Sequence, residues 1–120
     1  MYPGVDIIEI SRFAHACSRH PRLIKRLFTA RELEALGASA KRPSALAARF
    51  AGKEAVLKAL GTGLRGLSWH DIEIIANEQG EPQVYLSARA LKAAESRGGR
   101  SIRLSLSHNR DNALAVAVLC

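Results

Sequence analysis

An alanine- and leucine-rich segment, residues 44–60, constrains the fold of this chain more than any other feature. Pro43 precedes the segment and Gly61 follows it. Proline suits the first turn of a helix and glycine the position just after its end, so the two residues delimit a helix. The sequence therefore predicts one long helix, which the rest of the fold must accommodate.

Short apolar stretches elsewhere predict five strands, at residues 4–10, 71–76, 83–86, 102–107 and 113–119. In the fourth stretch Ile102, Leu104 and Leu106 alternate with polar residues, which predicts a strand with one buried face. The fifth stretch is apolar at every position. An apolar strand of this kind indicates a central place in a sheet or a subunit interface.

Capping residues predict shorter helices between these strands. Ser11 and Ser87 can each cap a helix, and Thr29 with Glu32 has the capping-box pattern. Pro21 fits the first turn of a further short helix. The sequence therefore predicts an α+β fold, with helices packed on a mostly antiparallel sheet. Because 120 residues without repeat or linker suit one domain, we expect a single domain over residues 1–120.

Positive charge is concentrated in the first half of the chain. Residues 1–66 contain twelve Lys and Arg against five Asp and Glu, whereas residues 67–120 contain six of each kind. Residues 10–31 contain six basic side chains and no acidic one. Such a surface attracts nucleic acid, phosphate ligands or acidic proteins. The alternative is a solvated basic face that only aids solubility.

The sequence has no apolar run as long as a membrane span and no N-terminal signal pattern. Its two cysteines, Cys17 and Cys120, lack metal-ligand spacing and form no disulfide framework. We therefore expect a cytoplasmic protein with no membrane partner.

Two carboxylates break the apolar pattern of their segments. Asp6 shares a strand face with Ile8 and Ile10, and Glu54 falls inside the apolar arc of the long helix. Structural alternatives are a wet sheet edge for Asp6 and an i,i+4 pair with Lys58 for Glu54. Two such carboxylates can instead share a divalent cation, and hard oxygen ligands favour Mg²⁺. Zinc is not expected, because cysteine ligands and a suitable histidine pair are missing.

Basic and glycine residues near the long helix are candidates for binding phosphate. The basic residues are Arg42, Arg49, Lys53 and Lys58. Residues 61–63, Gly-Thr-Gly, could let a pyrophosphate approach the backbone, although such a sequence more often only ends a helix. His108 follows a strand and can donate to phosphate or act as a base, although a lone histidine more often has a structural role.

Several motifs occur in a characteristic order. Residues 4–12 read Gly-Val-Asp-Ile-Ile-Glu-Ile-Ser-Arg, and residues 49–63 contain Phe-Ala-Gly-Lys-Glu-Ala-Val-Leu-Lys-Ala-Leu-Gly. Shorter motifs follow at residues 71–74, 80–82 and 105–108. Together they resemble the holo-acyl-carrier-protein synthases over nearly the whole chain. The resemblance implies a 4'-phosphopantetheinyl transferase-like fold.

The resemblance also implies an activity. Members of this family transfer the 4'-phosphopantetheine group of coenzyme A to a serine of apo acyl carrier protein, and adenosine 3',5'-bisphosphate leaves. They use Mg²⁺, for which Mn²⁺ is an alternative. The short members are homotrimers with each site at a subunit boundary, which would account for the apolar last strand.

The matched residues acquire roles from the same resemblance. Asp6 and Glu54 would be the magnesium ligands, and Glu54 and Lys58 the catalytic groups. The serine proton would pass to Glu54 or to a metal-bound water. The residues implied to bind coenzyme A are Lys41, Arg42, Arg49, Lys58, Gly61, Thr62, Gly63 and His108. Those implied to meet the acidic carrier protein are Arg12, Arg22 and Arg26.

Two other interpretations compete with this one. A nucleic-acid-binding module would suit the charge, but aromatic residues make up only 5% and no helix-turn-helix or zinc-finger signature occurs. A trimer without activity would explain the apolar last strand but not Asp6 and Glu54. We therefore expect an enzyme with a protein partner and no nucleic-acid partner.

Overall fold

A computed structural model describes all of residues 1–120. The elements in chain order are β1 (Tyr2–Glu9), α1 (Ile10–Arg19), α2 (Leu23–Leu27), α3 (Ala30–Leu36), α4 (Pro43–Leu60), β2 (Ile72–Ala76), β3 (Pro82–Leu86), α5 (Ala88–Ser96), β4 (Ile102–His108) and β5 (Asn112–Leu119). Two 3₁₀ turns, Gly37–Lys41 and Trp69–Asp71, precede α4 and β2. The long helix lies where the sequence predicts it.

The strands form two antiparallel sheets, so the predicted α+β class is confirmed. The larger sheet has the order β1-β5-β4, and the smaller one pairs β2 with β3. β3 and β4 lie beside each other but share no ladder of hydrogen bonds, which divides the predicted sheet in two. β5 occupies the centre of the larger sheet, as its apolar sequence indicates.

Helix α4 packs across one face of the larger sheet and is buried almost all round. The facing positions of β5 are the small residues Ala113, Ala115 and Ala117, all fully buried. Gly4 in β1 is equally necessary, because a Cβ there would overlap the carbonyl oxygen of Ala55 in α4. These small residues bring the helix axis close to the strands. The close approach places side chains of β1 and α4 in contact.

The other face of the larger sheet has no covering helix. Val5 and Ile7 of β1 are 54% and 65% exposed, and Leu114 and Val116 of β5 are 38% and 41% exposed. Burying a side chain of this kind is worth about 1.5–3 kcal/mol. Four apolar side chains therefore form a continuous patch whose burial would be favourable.

Two of the predicted caps are confirmed and one is wrong. Thr29 forms the full capping box with Glu32, and the Ser87 hydroxyl accepts from the Ala90 amide. Helix α1, however, begins at Ile10, before Ser11. The amide of Ile10 donates to the Asp111 carbonyl at 2.9 Å, so sheet-like bonding leads directly into the helix without a side-chain cap.

The expected strand start at Asp71 is also wrong. Its carboxylate accepts from the Ser68 amide at 2.7 Å, the Ser87 hydroxyl at 2.6 Å and the Arg89 guanidinium at 2.7 Å. These bonds hold Asp71 in the 3₁₀ turn before β2. Pro21 likewise lies in the turn before α2 and not in its first helical turn.

No helix in the structure combines the length and the apolar character that crossing a membrane requires. Cys17 and Cys120 are both free thiols.

Candidate active site

Three of the predicted site residues meet where β1 lies against α4. Asp6 points from β1 toward the helix, and its side chain is 17% exposed. Lys58 Nζ donates to Asp6 Oδ1 at 3.0 Å and to the Val5 carbonyl at 2.9 Å. Glu54 lies one helical turn before Lys58. The packing of Gly4 on α4 is what brings these three ionic groups together.

Glu54 has no ionic or hydrogen-bonding partner in the structure. The i,i+4 pair with Lys58 is not formed, because the Lys58 ammonium turns to Asp6 instead. Burial raises the pKa of Glu54, the charge of Asp6 raises it further, and Lys58 only partly opposes them. Glu54 is thus a half-buried carboxylate beside a second carboxylate, and Lys58 only partly offsets its negative charge.

This donor set fits a magnesium ion. No group of three or more His, Cys, Asp or Glu side chains that could hold a metal occurs, so a closed protein cage of the zinc or calcium type is absent. Mg²⁺ instead commonly takes one or two carboxylates and completes its shell with water and phosphate. Asp6 and Glu54 supply hard oxygen donors, and a cation there would offset their mutual repulsion.

The glycine loop lies just beyond this cluster, at the end of α4. Gly61 and Gly63 have φ values of 76° and 55°, in the left-handed region that favours glycine. Arg97 Nη1 donates to the Ala59 carbonyl at 2.9 Å, and its guanidinium packs where a Gly61 side chain would be. The Thr62 hydroxyl donates to the Gly63 carbonyl at 2.9 Å. The backbone of the loop is therefore accessible and held in place.

Three other candidates for coenzyme binding lie away from the loop within one chain. Lys41 and Arg42 are exposed before the first turn of α4, and the 18-residue helix separates them from Gly61 by about 27 Å. His108 is exposed at the end of β4, on the sheet face of Asp6 but with β5 between. The structure does not bring these residues to the Asp6 cluster in a single copy.

Arg49 lies on α4 between Arg42 and Glu54 along the chain. Its Nη1 atom is buried and has no hydrogen-bond partner. Burial lowers the pKa of Arg49, whereas the charge of Glu32 acts in the opposite direction. One guanidinium nitrogen of Arg49 therefore has no acceptor within a single copy of the chain.

The three predicted carrier-facing residues are all exposed. Arg12 lies on α1, Arg22 just before α2, and Arg26 on α2. Two shallow grooves adjoin at His20, one lined by Arg12 and the other by Arg22 and Arg26. The His20-Pro21 break thus bends the basic surface between two helices without removing it. We refer to the exposed side chains of Arg12, Arg22 and Arg26 as the basic face.

Comparison with known proteins decides the family. A model of the 4'-phosphopantetheinyl transferase superfamily matches residues 2–117. The chain is 49% identical over 116 residues to the holo-[acyl-carrier-protein] synthase of Moorella thermoacetica, covering 97% of this chain and 91% of that relative. The chain belongs to the holo-acyl-carrier-protein synthase family. The resemblance read from the motifs is therefore confirmed, and so is its assignment as a transferase.

Solved structures of synthases confirm the fold. The structure is similar to holo-[acyl-carrier-protein] synthase from Neisseria meningitidis, with a TM-score of 0.88, 32% identity, and coverage of 99% of this chain and 97% of that one. It is also similar to the Helicobacter pylori synthase in complex with coenzyme A, with a TM-score of 0.85, 29% identity, and coverage of 98% and 99%.

The sequence did not predict the fully buried ion pair of this synthase. Lys53 belongs to the basic set predicted around α4, but its side chain is fully buried and forms an ion pair with Glu32 at 2.6 Å. Burial lowers the pKa of Lys53, and Glu32 opposes that effect. Lys53 is therefore not available to a phosphate ligand. The available signal was its place between apolar neighbours of a buried helix, which a surface lysine would not occupy.

Proposed function

We propose that this synthase transfers the 4'-phosphopantetheine group of coenzyme A to a serine of apo acyl carrier protein. The main support is the Asp6, Glu54 and Lys58 cluster in a chain whose relatives are holo-acyl-carrier-protein synthases. The solved Helicobacter pylori relative contains coenzyme A, which supports the donor substrate. In this reaction the serine oxygen bonds to the β-phosphorus. The bond from that phosphorus to the bridging oxygen breaks, and adenosine 3',5'-bisphosphate leaves.

Asp6 and Glu54 would hold the divalent cation. When bound, Mg²⁺ or Mn²⁺ supplies positive charge that polarises a pyrophosphate and offsets charge on the leaving group. Lys58 adds a second positive charge beside the same carboxylates, since its ammonium lies 3.0 Å from Asp6. Phosphoryl transfer depends mainly on such positioning and charge stabilisation.

The serine proton needs an acceptor at this cluster. Glu54 is suited to the role because its carboxylate lies at the cluster and has no hydrogen-bonding partner of its own. A water bound beside Glu54 is the alternative acceptor. Both possibilities require the Glu54 carboxylate to be ionised in the active enzyme.

The remaining candidates fit two binding roles. Gly61, Thr62 and Gly63 would lie along the coenzyme, next to the carboxylate cluster. The exposed arginines of the basic face, Arg12, Arg22 and Arg26, would meet the acidic carrier protein. Opposite charges of this kind raise the association rate and make it sensitive to salt.

A homotrimer would complete the site. The exposed patch of Val5, Ile7, Leu114 and Val116 would be buried by neighbouring copies. Residues that one copy keeps far from the Asp6 cluster would then come from the next copy. These residues are Lys41, Arg42 and His108, and Arg49 would complete the set that binds the coenzyme phosphates.

The proposal also includes a location and a pathway class. Two free thiols are compatible with the reducing cytoplasm. The carrier would serve fatty-acid or polyketide synthesis, both of which build chains on a phosphopantetheine thiol.

The test is an intact-mass measurement on the carrier protein. Purified synthase is incubated with apo acyl carrier protein, coenzyme A and Mg²⁺, and a second sample contains excess chelator. We expect the carrier to gain one phosphopantetheine group only without chelator. A carrier whose reactive serine is replaced by alanine should gain nothing. An unchanged carrier mass with folded synthase and several carriers would refute the proposal.

A further inference from the structure

A buried ion pair lies between the basic face and the carboxylate cluster. Lys53 of α4 is 0% exposed and Glu32 of α3 is 1% exposed. Lys53 Nζ donates to Glu32 Oε1 at 2.6 Å, to the Leu27 carbonyl at 2.7 Å and to the Trp69 carbonyl at 3.1 Å. All three ammonium protons are thus used, and none is left for a ligand.

The pair joins elements that otherwise have little polar contact. Leu27 is the last residue of α2 and follows Arg26 of the basic face. Its bond to Lys53 is the only hydrogen bond between α2 and α4. Glu32 in turn accepts from the amide of Ile74 in β2 at 2.9 Å. Lys53 therefore ties the end of α2 to the helix that carries Glu54.

Stability alone does not account for such a pair. Replacing a buried ion pair by uncharged groups of similar volume is often neutral or stabilising. Geometry gives a better reason, because the two ends of the proposed reaction lie on different elements. Docking would occur on the basic face, which includes Arg26 of α2. The carboxylate beside Asp6, that of Glu54, lies on α4 and directly follows Lys53. A misplacement of about 1 Å between reacting groups can lower a rate about a hundredfold.

We propose that the Lys53–Glu32 pair is a positioning device that sets the placement of α2 relative to Glu54. The inference rests on the proposed function, since it concerns how the docked carrier serine reaches the reacting phosphorus. Lys53 and Glu32 touch neither substrate. They act through the Leu27 carbonyl on one side and the setting of α4 on the other.

The test separates turnover from binding. The double variant Lys53→Met with Glu32→Gln removes both charges together and keeps the side-chain volumes, so no single buried charge is left behind. Per folded enzyme, we expect kcat to fall about ten- to a hundredfold. The KM values for carrier and coenzyme A should change less than about twofold, because neither binding surface loses a side chain.

A matched control is Leu119→Ala. Leu119 is buried at the end of β5, away from α2, so this cavity destabilises the fold without touching the link. We expect a lower melting temperature and unchanged kcat. Unchanged kcat in the double variant, or an equal loss in Leu119→Ala, would overturn the inference. Transfer by the wild-type enzyme is measured in parallel, and its absence would refute the proposed function instead.

A second variant decides the matter if the double variant does not fold. Glu32→Asp keeps both charges and shortens the acidic side chain by one methylene. It therefore disturbs the Lys53–Glu32 contact less than the double variant does. We expect kcat to fall several-fold with both KM values preserved. Wild-type kcat in this variant would overturn the inference.

Discussion

At the scale of single residues, Glu54 is unfavourable for the fold and central to the proposed chemistry. It lies half-buried beside Asp6 without a partner, while Lys58 serves Asp6. A site that holds like charges together is commonly kept at the expense of stability. Stability and activity should therefore respond to Glu54 in opposite directions.

The first prediction concerns the stability of Glu54→Gln without metal. Because the folded-state pKa of Glu54 is raised above its unfolded value, protonation favours the folded state and stability is lost as pH rises through the folded pKa. We expect the variant to melt at a higher temperature than wild type at pH 7. The two should melt alike below about pH 4, where the carboxyl group is protonated in both states. A variant that is less stable at pH 7 would contradict this account.

The second prediction concerns turnover in the same variant. Glu54→Gln should lower kcat at least about a hundredfold, since it removes the proposed metal ligand and the proposed proton acceptor together. The carrier mass assay measures it. Near-normal turnover would remove Glu54 from both roles.

Asp6 and Glu54 could be singled out because a carboxylate within an apolar pattern is recognisable from the sequence alone. The side chains that pair with acidic groups in the structure could not be predicted in this way. That Lys58 turns to Asp6 depends on the crossing of β1 and α4, and that Lys53 meets Glu32 depends on α3 packing against α4. Contacts between distant segments are set by tertiary packing, which local patterns do not encode.

At the scale of elements, the basic face and the β1–α4 crossing lie in different parts of the fold, and we propose separate functions for them. Helices α1 and α2 present arginines to solvent, while an aromatic stack holds α1 to α4. In that stack the rings of Phe13 and Phe50 are 5.4 Å apart, and those of Phe50 and Trp69 are 5.1 Å apart. Changes on the exposed side of these helices should leave the carboxylate cluster intact.

The third prediction tests the basic face. Charge reversal, Arg26→Glu, should raise the KM for carrier about tenfold and leave coenzyme A binding unchanged, because opposite charges steer association. Lys92→Glu on α5 makes the same charge change at an exposed residue outside the face and should have little effect. Steady-state kinetics at low and high salt measures both. A defect confined to coenzyme A would show that Arg26 has another role.

The fourth prediction tests the crossing. Gly4→Ala places a Cβ against the Ala55 carbonyl oxygen, which forces β1 away from α4. We expect the free energy of unfolding to fall by about 1–3 kcal/mol, as overpacking typically costs. Turnover should fall too, since Asp6 moves away from Glu54. If thermal denaturation shows wild-type stability for this variant, β1 accommodates the added methyl group without loss of packing.

Element prediction succeeded where the signals are local. The Pro43 and Gly61 boundaries of α4 and the Thr29 capping box depend on neighbouring residues only, and both are confirmed. The boundary at Ser11 failed because a hydrogen bond from Ile10 to a distant residue of the chain decides it. The division into two sheets was not predicted for the same reason, because it depends on contacts between distant residues.

At the scale of the whole molecule, one face of the larger sheet is covered by no other element of the chain. Its apolar residues are exposed in one copy, and the candidate phosphate-binding residues are spread over both ends of α4. Association of several copies would bury the apolar residues and would bring candidate phosphate-binding residues of neighbouring copies together.

The fifth prediction tests association. Ile7→Glu places a charge in the centre of the apolar patch, where burial without a partner is costly. We expect wild type to have three times the monomer mass of 13.0 kDa by light scattering. The variant should be a folded monomer with little transfer activity. A fully active monomer would show that one copy contains a complete site.

The most direct test of the central claim is Mn²⁺ binding, followed by electron paramagnetic resonance with coenzyme A present. Mn²⁺ stands in for Mg²⁺, and Asp6→Asn and Glu54→Gln are compared with wild type. The account predicts one tightly bound ion per site in wild type and at least about tenfold weaker binding in each variant. Equal binding in all three proteins would mean that the ion lies elsewhere, and the proposed catalytic centre would be wrong.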